Sequence, residues 1–106
     1  MTNIDKRDEA FAKKFALEQE TQFRATARRN KLFGLWAAEK LGKIGADAEE
    51  YAKAIVITDL EEVGDDDVFR KVRKDFDAAG VQQSDHQIRR TMDELLAKVT
   101  KDLQAG

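Results

Sequence analysis

Cysteine and proline are both missing from this 106-residue chain, and histidine, tryptophan and tyrosine occur once each. Without cysteine there are no disulfides, no thiol nucleophile and none of the usual Cys/His zinc arrangements. Without proline nothing forces a helix to stop or kink, so long helices are permitted throughout. Charge of one sign is also lacking: 19 Lys and Arg against 21 Asp and Glu give a net charge of −2, which supplies no global field toward nucleic acid or an anionic membrane. No stretch approaches the roughly 20 apolar residues needed to span a bilayer, and the first fifteen residues lack the apolar run of a secretory signal. A cytoplasmic protein without direct membrane insertion is the expectation. No β-sheet is inferred.

What is present is 42% hydrophobic and 38% charged residues, the latter well above the roughly 25% of ordinary globular chains. The length fits one compact domain. Gly42, Gly45, Gly64 and Gly80 fall between patterned segments, where a helix can end in a left-handed conformation. Between them the spacing predicts four helices, at about 5–41, 47–62, 66–79 and 85–103. Asp47 with Glu50 and Ser84 with Gln87 have the spacing of capping boxes at the second and fourth helix starts. Short loops then require neighbours to turn back on one another, so the expected fold is all-α, an antiparallel four-helix bundle with a mobile or partly helical N-terminal segment.

The apolar periodicity assigns the core. Phe23, Ala27, Leu32, Phe33, Leu35, Trp36 and Leu41 cover more than one face of the first helix. Ala48, Tyr51, Ala52, Ile55, Val56, Leu60 and Val63 form one broad face of the second. Val68, Val72, Phe76 and Ala79 line the third, and Ile88, Met92, Leu95, Leu96, Val99 and Leu103 repeat along the fourth. Before about Gln22 the pattern thins: Ile4, Phe11 and Phe15 share a helix line with Asp8, Glu18 and Gln22. So narrow a stripe packs weakly within its own chain. The chain therefore divides into an N-terminal segment, 1–22, and a bundle, 23–106.

Few constellations offer chemistry. Counted from Asp65, the acidic run Glu61, Glu62, Asp65, Asp66, Asp67 places Arg70 and Phe76 where a calcium loop needs glycine and glutamate. The acids at 65–67 are read instead as partners of the third helix's dipole. His86, beside Asp85, has no serine, cysteine or second histidine as partner and is expected to face solvent. Trp36 is read as core. Arg24, Arg28 and Lys31, with Arg29 beside them, form a basic helix face. It is a solvated or ion-paired surface, a docking patch for an acidic protein, or a phosphate grip, and no glycine-rich phosphate loop accompanies it. No enzyme activity and no cofactor is expected.

The stretches RATARRNKLFGLWAAEKLG (24–42), GADAEEYAKAIV (45–56) and SDHQIRRTMDELLAKV (84–99) carry a family resemblance. The chain resembles the zeta subunit of the F-type ATP synthase of alphaproteobacteria, a family of natural ATPase inhibitors, over essentially all of its 106 residues. The resemblance implies a four-helix fold whose N-terminal segment, about 2–22, enters a catalytic-subunit interface as a helix and touches the rotor, while the rest anchors. The implied partners are the catalytic and rotor subunits, with no nucleic acid, and the free chain is expected to be a monomer held at the inner membrane only through the synthase. The expected partner-binding residues are Ile4, Phe11, Lys13, Lys14 and Phe15 in the segment, with Arg24 and Arg28 beyond it. A competing reading is a helical adaptor, or a nucleic-acid-associated regulator, that uses the basic face from Arg24 to Lys31.

Overall fold

The computed structural model describes residues 2–60 and 64–105, with side chains described from residue 9 onward. Four helices follow one another: α1 (Thr2–Lys40), α2 (Gly45–Asp59), α3 (Asp66–Ala79) and α4 (Asp85–Ala105), with no strand among the described residues. α1 packs on α2 and α4, and α3 closes the bundle by touching α2 and α4. None of the described helices is long and apolar enough to cross a membrane.

Glycine ends two of the helices in the same way. Gly42 has φ 78°, the Lys43 N–H donates to the Ala38 carbonyl at 2.9 Å, and the Gly42 N–H donates to Glu39 at 3.0 Å. This double closure satisfies carbonyls that the last turn would leave bare. Gly80, φ 70°, repeats it at the end of α3, where the Val81 N–H reaches the Phe76 carbonyl at 2.9 Å and Val81 packs back on the core.

The helix starts differ from one another. Ser84 and Gln87 form the expected box, with the Gln87 N–H on Ser84 Oγ at 3.1 Å and the Ser84 N–H on Gln87 Oε1 at 2.8 Å. The Asp47 box does not form, because α2 begins earlier, at Gly45, behind an Ile44 that gives no side-chain cap. Asp47 lies within the first turn, where its charge still favours the positive end of the helix. At the far end α2 stops at Asp59 rather than near 62; Glu61, Glu62 and Val63 lie outside the described residues.

The core holds Phe33, Ala37, Ile55, Val68, Phe69, Val72, Phe76, Ile88 and Met92. Trp36 is half-buried against it, stacked on Phe33 at 5.6 Å and tilted 59° to Phe76 at 5.7 Å. Leu95 is likewise half-buried, and Val99 is sealed further along α4. Three expected core residues are corrected. Phe23 is 65% and Leu60 69% exposed, and Ala79 also faces solvent: Phe23 precedes Ala25, the first buried residue of α1, and Leu60 and Ala79 stand at the C-terminal ends of their own helices. Phe69 is buried instead, beneath the Arg89 guanidinium at 4.0 Å.

α1 and α2 meet at Gly34, where an added Cβ would stand 2.7 Å from the Ala52 Cα. Glycine is required there by proximity, since its φ is not left-handed. Next to Ala52, Tyr51 reaches across to α3, donating its hydroxyl to Asp75 Oδ2 at 2.7 Å, and Lys71 meets the same oxygen at 3.0 Å. Burial, then this hydrogen bond, then the Asp75 charge push the Tyr51 phenol far above its ordinary range.

Candidate partner-binding site

α1 is 39 residues long, about 58 Å at 1.5 Å per residue, and accounts for most of the molecule's 64 Å length. Every described side chain from Glu9 to Arg24 is exposed, and Ala25 is the first buried one. The helix therefore leaves the bundle as an arm. No proline or glycine precedes Gly34, so nothing in the sequence interrupts its backbone ladder.

The arm carries its apolar rings in the open. Phe11 is 73% and Phe15 54% exposed, with Lys14 and Glu18 beside them in a shallow recess. Lys13 is exposed as well. The Ile4 side chain lies outside the described residues, although its backbone is helical. At 100° per residue, Phe15 and Phe33 are eighteen residues apart and so share one line of the helix. The Phe11–Phe15 stripe is thus the core-facing line of α1 carried past the end of the bundle.

Arg24 and Arg28 do not join that stripe. Arg24 lies nine residues from Phe15, about 180° around the helix, and its guanidinium meets Glu20 Oε1 at 2.6 Å. Both groups of that pair are more than half exposed, so its stabilisation is small. Arg28 and Lys31 are exposed as expected. Arg29 is not part of any basic face: it is 1% exposed, with Nε donating to Asn30 Oδ1 at 2.8 Å and an Nη to Asp65 Oδ1 at 2.6 Å. Burial of Arg29 and the Arg24–Glu20 pair reduce the cationic surface on which the nucleic-acid reading rested.

The sequence reading also missed a feature at the root of the arm. Leu17, 63% exposed, shares a groove with Thr21 and Ala25 of α1 and with Leu96, Thr100 and Gln104 of α4. Leu17 lies about 160° from Phe15, so the arm presents apolar surface on two sides. Its signal in the sequence is a lone leucine off the phenylalanine line, which periodicity within α1 alone does not explain.

Among the described residues no group of three or more His, Asp or Glu side chains converges as ion ligands would. His86 is exposed at the start of α4.

Comparison with known proteins agrees with this architecture. The family model described as ATPase inhibitor subunit zeta matches residues 1–102. A solution NMR structure of a protein is similar at 44% sequence identity, covering 79% of this chain and 95% of that one, with a TM-score of 0.69. None of the curated proteins matches. With the match running from the exposed arm through nearly all of α4, the chain belongs to the ATPase inhibitor subunit zeta family.

Proposed function

We propose that this chain inhibits ATP hydrolysis by the F-type ATP synthase by inserting the helical arm, about residues 2–22, at an interface of the catalytic subunits and against the rotor. The bundle, about 23–106, is the anchor that holds it there. The observation that carries this reading is the exposure of every described side chain from Glu9 to Arg24, with Phe11 and Phe15 continuing the core line where no described helix covers them.

Interfaces draw most of their energy from a few large side chains that fill pockets, and two phenyl rings one turn apart suit a hydrophobic groove that receives a helix. Ile4 extends the same line by sequence. Lys13 and Lys14 flank it with positive charge that can meet acids at the rim of such a groove. Because Arg24 points the opposite way, it contacts a second wall of the interface, and Arg28 continues that contact toward the bundle. A catalytic interface that must open and close during turnover cannot do so with a helix held inside it. The protein acts as a monomer and reaches the inner membrane only through the synthase.

The direct test is ATP hydrolysis by the cognate synthase with the full chain added, compared with a chain lacking residues 2–19. Inhibition by the first and not the second is expected. Equal inhibition by both would reject arm insertion while leaving the family assignment intact.

A further inference from the structure

The groove at the root of the arm is a cavity of about 730 Å³ between α1 and α4. Its walls are rows of side chains spaced by four residues: Leu17, Thr21 and Ala25 on α1, and Leu96, Thr100 and Gln104 on α4. Rows of this spacing are the ridges with which helices pack, and the space between two of them receives the ridge of a third helix. A helix about 10 Å across fills roughly 420 Å³ per turn, so the cavity holds one side of about three turns. Leu17, Thr21 and Gln104 are exposed and Leu96 and Thr100 half-buried, so both walls stay open along this length.

The lining is small and close to neutral. The Thr21 hydroxyl donates to the Leu17 carbonyl at 2.9 Å, which leaves its methyl group for a neighbour. Among the described residues, Lys14 and Glu18 are the charged members of the lining, and their charges cancel. A polyanion or a strongly charged peptide finds no complement there. The matching surface is a helix face of apolar and uncharged polar residues, since charged groups are depleted where interfaces are fully covered. Continuity shows which molecule brings it: Lys14 and Glu18 also bound the recess beside Phe11 and Phe15, so one pair of side chains belongs to both surfaces. A body that covers the two rings therefore reaches the mouth of the groove.

We propose that the α1–α4 groove is a docking site for a helix, uncharged on its inserted face, of the catalytic subunit that receives the arm. This rests on the arm-insertion reading and adds to it the surface by which the bundle is anchored. The partner's helix lies between Leu17 and Leu96, packing its own ridge into the two rows. Because Leu17 and Phe15 point to nearly opposite sides of α1, the arm is then held from both: its rings in one pocket, its root against the docked helix.

The test uses the full chain with its cognate synthase. The sequence has no cysteine, so Gln104→Cys carries a benzophenone label at a single, exposed position of the groove. Irradiation of the complex is expected to join it to a helical segment of a catalytic subunit, mapped by mass spectrometry. A label that joins a second copy of this chain, or nothing, while ATP hydrolysis stays inhibited would overturn groove docking and leave arm insertion standing. Absence of inhibition by the native chain would reject both. Independently, Thr100→Glu, which places a charge on the groove wall, is expected to raise the half-inhibiting concentration roughly tenfold or more. Lys98→Gln makes the same change of charge at an exposed site about 160° around α4, and is expected to leave that concentration within about twofold. No effect of Thr100→Glu, or an equal effect of the two, would overturn the proposal, and the cross-link decides regardless of how well Thr100→Glu folds.

Discussion

Phe15 and Phe33 lie on one line of α1, five full turns apart, yet Phe33 is sealed at 0% exposure while Phe15 is 54% exposed. The two rings differ in what lies opposite them. Phe33 lies in the core cluster to which α2, α3 and α4 all contribute, whereas Phe15 lies beyond the point where the bundle first buries α1, at Ala25. The same helical phase that builds the core thus continues onto the arm, past the described helices that cover it in the bundle.

Phe11→Ala with Phe15→Ala is expected to abolish most inhibition and leave the fold intact. Anchors of this kind cost about 2 kcal/mol or more when truncated, which is a weakening of at least roughly 30-fold. Because both rings are exposed at home, the unfolding free energy from urea denaturation should change by no more than about 0.5 kcal/mol. Hydrolysis assays and denaturation of the same preparations separate the two effects; a large stability loss would show that the rings pack on the bundle.

Gly34→Ala is expected to destabilise the chain even though alanine is the better helix former. The substitution gains about 1 kcal/mol of helix propensity, but its methyl would press on the Ala52 backbone at 2.7 Å, where no flexible side chain can give way. Overpacking of this sort costs about 1–3 kcal/mol, so a net loss is anticipated in equilibrium urea unfolding.

Arg29→Ala should cost about 2–4 kcal/mol, toward the lower end of buried-pair losses because Asp65 remains partly exposed. Arg29→Lys should recover little of it. The guanidinium sends Nε to Asn30 and an Nη to Asp65, and one ammonium on a flexible stem cannot reproduce that fork. Thermal unfolding of the three chains would show whether lysine rescues.

Tyr51→Phe is expected to cost about 1 kcal/mol at neutral pH, the usual worth of one hydrogen bond, since Lys71 still satisfies Asp75. The pH dependence has a definite sign. A phenol whose proton is held more tightly in the fold gives stability that is fully present below its ordinary value of about 10 and lost as the pH rises above it. The native chain should therefore lose stability more steeply than Tyr51→Phe above pH 10, as measured by Tm against pH.

Much of this was legible before the structure. α3 was expected at 66–79 and runs Asp66–Ala79, because apolar spacing, the acidic start and Gly80 all marked the same ends. The errors have a common physical source. Phe23 lies eleven residues before Gly34 and hence on the α2-facing line, but periodicity says which way a residue points and not whether a neighbour is still there to cover it. Arg29 erred in the opposite sense. Grouped with Arg24 and Lys31 by charge, it lies four residues before Phe33 and on the core side, and its partner Asp65 is 36 residues away in sequence. The phenylalanine stripe of the candidate site was visible at the outset, whereas the groove beside Leu17 was not, because half of it comes from α4.

The unbroken length of α1 makes the arm a lever. From Ala25 to Thr2 the axis runs about 35 Å, so a tilt of about 10° at the root would swing the tip by about 6 Å, more than one helical turn. No glycine or proline along that span offers a joint to absorb the swing. In the proposed insertion, where Phe11 arrives is consequently set at the other end of the rod, by how the bundle is seated, and a small tilt around Ala25 would be magnified along the arm into the difference between meeting a pocket and missing it.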